Sequence, residues 1–168
     1  ALTLILKALA ASSGRRRVIV PAYTCFSVPS AIVRAGLDVV LCDVEPDTLD
    51  FNFSELEGLI NEEVLCVVPT HLFGRPADVD RVKRLCEGTG VVVVEDAAQA
   101  MGGQSGEGLL GTLGDVAFFS LGRGKNLTCG TGGVILTRSL PVAETLKAEY
   151  ATLPESPFGE VAKNWLEM

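Results

Sequence analysis

The sequence predicts an α/β domain of three layers, α/β/α, built on a mostly parallel sheet. Two observations carry that prediction. Over residues 17–95, strand-like apolar runs alternate with helix-like segments at the spacing of βαβ units, which calls for parallel pairing with helices on both faces. Four consecutive valines at 91–94 then end in Glu95 and Asp96. A run that is β-branched and apolar on both sides suits a strand buried inside a parallel sheet. The two acids therefore fall at a strand's carboxyl end, where open α/β sheets place their ligands.

The elements follow in order. ALTLILKALA opens the chain, with Leu2, Ile5, Leu6 and Leu9 at the i, i+3, i+4 and i+7 positions of one helical face. Nothing caps this helix, so the sequence reads as a domain cut from a longer chain. Strands are expected over Arg17–Pro21, 39–43, 64–69, 90–95, 115–120 and Gly133–Thr137, and helices over 28–35, 54–60 and 76–87. Ser54 with Glu57 three residues on has the form of a capping box, and Pro76 suits the first turn of the next helix. Beyond Gln99 the alternation stops. Eleven of the 18 glycines lie within 102–133, so loops and close backbone approaches are expected there rather than helix. Long connections of this kind in a compact domain are more often functional than accidental. A further helix is expected over 141–150. The tail from residue 154, with Pro154, Pro157 and Gly159, reads as a linker.

At 168 residues and 48% hydrophobic content, the chain suffices for one domain with a real core. Its 14 basic and 21 acidic residues give a net charge of −7, which argues against general binding to nucleic acid or anionic membranes. No apolar run approaches the ~18 residues of a membrane span, and no signal-peptide layout opens the chain. The five cysteines (Cys25, Cys42, Cys66, Cys86 and Cys129) lack a paired metal spacing. They read as small buried hydrophobes in a reducing compartment, which makes the cytoplasm the expected location.

Six pieces carry a resemblance: VIVPAYT (18–24), CDVEPDTL (42–49), VVPTHLFGRPADVD (67–80), EDAAQAMGG (95–103), GTLGDVAFFS (111–120) and GKNLTCGTGG (124–133). In their order and spacing the chain resembles the DegT/DnrJ/EryC1/StrS sugar aminotransferase family, within the fold-type I pyridoxal phosphate enzymes, from about residue 1 to about residue 150. The resemblance implies pyridoxal 5'-phosphate as cofactor. It also implies that 1–153 are a cofactor-binding large domain, without the phosphate turn that the family places before its first helix. Residues 154–168 would then lead toward a small domain.

Site residues follow from the same resemblance. Lys125 alone of five lysines lies in a glycine-flanked loop after a buried strand, and is implied to form the Schiff base. Asp96 is implied to keep the pyridine nitrogen protonated so that the ring accepts electrons. Gln99 is implied to bond the ring's phenolic oxygen, and Ser120 the phosphate. Where the family often carries an aromatic residue stacked on the ring, this chain has Cys25, with Phe26 beside it, and both are candidates. Arg123, two residues before Lys125, is either a cation favouring the neutral amine or a surface charge. His71, the single histidine, reads as a loop residue rather than the base. The string GTGG at 130–133 is not followed by G-K-S/T and reads as a turn into a strand.

The implied activity is transfer of an amino group from an amino acid, L-glutamate, to a nucleotide-linked keto sugar, by a homodimer with a shared active site. Three alternatives stand beside it. Pyridoxal phosphate sugar dehydratases replace the lysine with histidine, so Lys125 counts against that reading. A non-catalytic regulatory relative has no chemical need for Lys125, Asp96, Gln99 and Ser120 together. A bare nucleotide-binding domain wants G-x-G-x-x-G after the first strand, which VIVPAYTC lacks.

Overall fold

Side-chain alternation along the central strands sets the layers. The computed structural model describes residues 1–154. Strand β1 (Arg17–Pro21) sends Val18 and Val20 to one face and Ile19 to the other. Helices α1 (Leu2–Ala11) and α2 (Ser27–Arg34) cover the first face, where Ile5, Leu6 and Ile32 meet Val18, Leu65 and Val116. Helices α3 (Phe53–Leu59) and α4 (Val79–Cys86) cover the second, where Leu56, Val79 and Val82 meet Ile19, Val67 and Val93. Each such aliphatic side chain contributes roughly 1.5–3 kcal/mol when fully buried, so both helical layers are held by packing rather than by helix propensity.

The remaining strands are β2 (Asp38–Cys42), β3 (Val64–Val67), β4 (Val92–Asp96), β5 (Gln104–Ser105), β6 (Gly108–Leu109), β7 (Val116–Ser120) and β8 (Gly133–Thr137). Six of them form one sheet in the order β2-β1-β3-β4-β7-β8, parallel throughout except for β8, which runs antiparallel to β7 at the edge. Helix α5 (Leu140–Ala151) returns beside α1, with Val142 and Leu146 against the first core cluster. The three-layer α/β/α expectation is met. No helix among the described residues is long and apolar enough to cross a membrane.

Several local expectations are corrected. Asn52, not Ser54, caps α3: its side chain accepts from the N–H groups of Ser54 and Glu55, both at 3.1 Å. Glu55 reaches back to the Asp43 N–H at 2.8 Å, so the helix starts earlier than the Ser54–Glu57 pair suggests. Helix α4 starts at Val79 rather than Pro76. Asp78 caps it by accepting from Arg81 N–H at 2.9 Å, and Arg75 is extended, as a residue before proline tends to be. The glycine-rich stretch also holds a small antiparallel hairpin, β5–β6, which two-residue strands cannot announce by periodicity. Of the cysteines, Cys42, Cys66 and Cys86 are buried, but Cys25 and Cys129 are exposed because they lie in loops beyond β1 and β7. The linker expectation for 154–168 falls, beyond residue 154, outside the described residues.

Candidate active site

At the carboxyl ends of the parallel strands, the chain turns into the segments that wall a cavity of about 390 Å³, within the usual range for small-molecule sites. Cys25, Thr70, Asp96, Gln99, Ser120 and Lys125 border it, together with the first residues of α1. Five of the six predicted site residues therefore converge. The sixth, Phe26, stays outside: it precedes α2 as its cap residue and is 84% exposed. Arg123 is exposed and does not line the cavity. A larger cavity of about 550 Å³ lies between α4 and the amino end of β4, and holds none of the predicted site residues.

Alternation along β4 divides its two terminal acids. Glu95 is fully buried and points into the protein. Its Oε2 accepts from His71 Nε2 at 2.9 Å and Gly111 N–H at 2.8 Å, and its Oε1 accepts from the N–H groups of Leu113, at 2.6 Å, and Gly114. Burial alone would raise this carboxyl, but the bonds from His71, Gly114 and Gly111 outweigh it and hold it below its ordinary value. His71 Nδ1 accepts from Ala77 N–H at 3.0 Å, which leaves the ring proton on Nε2 for Glu95. This places His71 in the frame of the site, and it does not border the cavity.

Asp96 behaves differently. It is 4% exposed, its Oδ1 accepts from Ala98 N–H at 3.0 Å, and its carboxylate borders the cavity. Burial pushes its carboxyl above the ordinary value, against the opposing effects of the Ala98 N–H and the Lys125 charge. A buried carboxylate with so little protein solvation fits a cationic or N–H partner in the cavity.

Gln99 accepts from the Phe73 N–H at 2.9 Å through Oε1, which leaves its amino end as a donor. That bond helps hold Phe73 at φ 56°, a left-handed conformation costly for a bulky residue. Ser120 ends β7, and its hydroxyl accepts from Gly122 N–H at 3.3 Å. The loop carrying Lys125 is closed at its base: Leu121 N–H donates to Gly132 O, and Cys129 N–H to Leu121 O, both at 3.0 Å. Gly124, at φ +77°, makes the left-handed turn immediately before the lysine. Cys25 accepts from the Ser27 hydroxyl at 3.1 Å; this bond, the Ser27 N–H and the Lys125 charge lower its thiol pKa.

An amine, a carboxylate, an amide donor and a hydroxyl in one cavity fit pyridoxal phosphate, which needs an amine for its aldehyde, an acid for its ring nitrogen and donors for its oxygens. Sequence reasoning missed Thr70 at this wall. Its signal was PTH at the end of an apolar strand.

Comparisons agree with this architecture. The profile of the DegT/DnrJ/EryC1/StrS aminotransferase family matches residues 1–152. The chain is 36% identical over 128 residues to a pleiotropic regulatory protein of Geobacillus stearothermophilus, covering 76% of this chain and 34% of that protein. It is 36% identical over 159 residues to L-glutamine:2-deoxy-scyllo-inosose aminotransferase of Streptomyces fradiae, covering 93% and 37%. With the UDP-N-acetyl-3-dehydro-alpha-D-glucosamine 3-aminotransferase of Acidithiobacillus ferrooxidans it shares 34% identity over 149 residues, covering 88% and 40%. Among solved structures, the sugar aminotransferase CalS13 from Micromonospora echinospora superposes with a TM-score of 0.77 at 30% identity, covering 87% of this chain and 41% of that one. The chain thus spans little more than a third of the length of the curated relatives it matches.

Proposed function

Because this chain belongs to the DegT/DnrJ/EryC1/StrS aminotransferase family, we propose that it forms the cofactor-binding part of a pyridoxal phosphate-dependent aminotransferase, one that moves an amino group from an amino acid, L-glutamate, to a nucleotide-linked keto sugar. The observation that carries the reading is the buried carboxylate of Asp96 bordering the same cavity as the amine of Lys125. Pyridoxal phosphate, when bound, supplies an aldehyde that takes up amines and a ring that draws electrons from the adjoining carbon.

The chain's own residues have distinct tasks in this reading. Lys125 Nζ would hold the cofactor's aldehyde and, when free, would take the proton from the donor's α-carbon. Asp96 would keep a positive charge on the ring nitrogen, and that charge would offset the cost of burying the carboxylate. The amide of Gln99 would donate to the phenolic oxygen, and the Ser120 hydroxyl would bond the phosphate. Cys25 borders the cavity and the exposed Phe26 does not, so Cys25 would be the small soft group at the ring face. In the whole protein, a second subunit and the remaining length complete the site and supply the sugar contacts. The relative named as a regulatory protein keeps a non-catalytic reading in view. The convergence of Lys125, Asp96, Gln99 and Ser120 favours catalysis over it.

Borohydride reduction of the intact protein loaded with pyridoxal phosphate tests the site. Peptide mapping should place the cofactor mass on Lys125; a label on another lysine, or none, overturns the assignment. Incubation with glutamate and a panel of nucleotide-linked keto sugars tests the reaction. Labelled protein that aminates no member of the panel defeats the sugar-acceptor reading.

A further inference from the structure

Among the described residues, two buried side-chain polar atoms have no hydrogen-bond partner, the hydroxyls of Thr24 and Thr70. Of the two residues, only Thr70 borders the cavity. A buried hydroxyl without a partner is costly, so an orphan at a cavity wall points to a ligand that completes it.

The placement of Thr70 is well fixed. It pairs with Asp96 in a parallel bridge, secured by Asp96 N–H to Pro69 O at 2.9 Å and His71 N–H to Asp96 O at 3.0 Å. Paired residues project to the same side of a sheet, so Thr70 stands beside the Asp96 carboxylate without bonding it. Three residues on, the Phe73 N–H is held by Gln99. Thr70 thus borders the same cavity as the acid and the amide.

We propose that the Thr70 hydroxyl donates to the phenolic oxygen of the bound pyridoxal phosphate, sharing that acceptor with Gln99. The inference rests on the proposed function. The ring edge offers two polar groups, a nitrogen that Asp96 takes and a phenolic oxygen with lone pairs for two donors. A second donor stabilises negative charge on that oxygen. It therefore lowers the pH at which the bound cofactor's visible absorbance titrates.

Absorbance titration of the intact, cofactor-loaded protein tests this, with Thr70→Val and Thr70→Ser beside the parent. Thr70→Val should raise the titration midpoint by about one pH unit, equivalent to ~1.4 kcal/mol, and weaken cofactor binding about tenfold; Thr70→Ser should stay near the parent. If the parent takes up pyridoxal phosphate on Lys125 but Thr70→Val leaves midpoint and affinity unchanged, the Thr70 inference fails and the proposed function stands. A parent that binds no cofactor ends both. A small void of about 10 Å³ on the Leu49 and Arg75 side of Thr70 is barely wide enough for one water. If that water were the partner of Thr70, Thr70→Val would lower the urea midpoint without moving the absorbance midpoint, and this result also overturns the inference.

Discussion

Replacing Glu95 with Gln tests the frame of the site in isolation from its chemistry. The carboxylate now accepts four bonds, two at each oxygen. A carboxamide keeps one acceptor and turns the other end into a donor, so two of the four N–H groups must face an NH₂. His71 cannot escape by changing tautomer, because its Nδ1 already accepts from Ala77 N–H. Two stranded donors at about 1–3 kcal/mol each give about 2–6 kcal/mol, and breaking a buried pair falls within the same span at about 3–5. Relief of carboxylate burial puts the expected loss at the low end, about 3 kcal/mol. With a urea slope of about 2 kcal/mol per M, the midpoint of the intact, cofactor-free protein should fall by about 1.5 M.

The pH dependence supplies a second reading of the same variant. The Glu95 carboxyl is held below its ordinary value of 4.5, so its stabilisation is present above that pH and is lost as pH falls through the lower, folded value. The parent should therefore lose stability in acid more steeply than Glu95→Gln, and the two curves should converge. A urea midpoint within about 0.3 M of the parent at pH 7, or parallel curves in acid, would refute the four-bond argument.

Other outcomes follow from the same geometry. Asp96→Asn should raise the urea midpoint of the cofactor-free protein at neutral pH while abolishing cofactor-dependent turnover. Its folded pKa is raised, so the burial penalty grows as pH climbs above the unfolded value and vanishes in acid; a lower midpoint at pH 7 would show that the carboxylate is structural. Gly111→Ala should cost about 2–4 kcal/mol, from a left-handed backbone and an overpacked core. Gly111 sits at φ +86°, and a Cβ there would lie 2.2 Å from Phe119 Cζ. Thermal unfolding of the intact variant checks it, and an unchanged midpoint would mean that Phe119 moves freely.

The sequence shows where the site is more clearly than how it is held. The valine run fixes β4 and its exit, and the glycine-flanked lysine marks its own loop; both are local signals. Glu95 is ambiguous in sequence because strand alternation alone does not say which of two adjacent acids faces inward. Its partners Gly111, Leu113 and Gly114 arrive from beyond a hairpin too short to be read by period. The start of α4 is misjudged for a related reason. Asp78 is a better cap than Pro76 is a first-turn residue, and its own N–H is tied to the distant Asp50 at 2.6 Å. PTH after an apolar strand marks the position of Thr70 but not the orphaning of its hydroxyl, which follows only once two strands pair.

Adjacency of Glu95 and Asp96 also bears on how this fold drifts. The domain needs Glu95 whatever it does, because four donors depend on it. Burial of Asp96 works against the bare fold, and under the proposed function its return comes from the bound ring. In a lineage released from catalysis, mutation is free to erase the second acid and is held back at the first. On that reading two neighbouring letters record separate histories, one of the scaffold and one of its use.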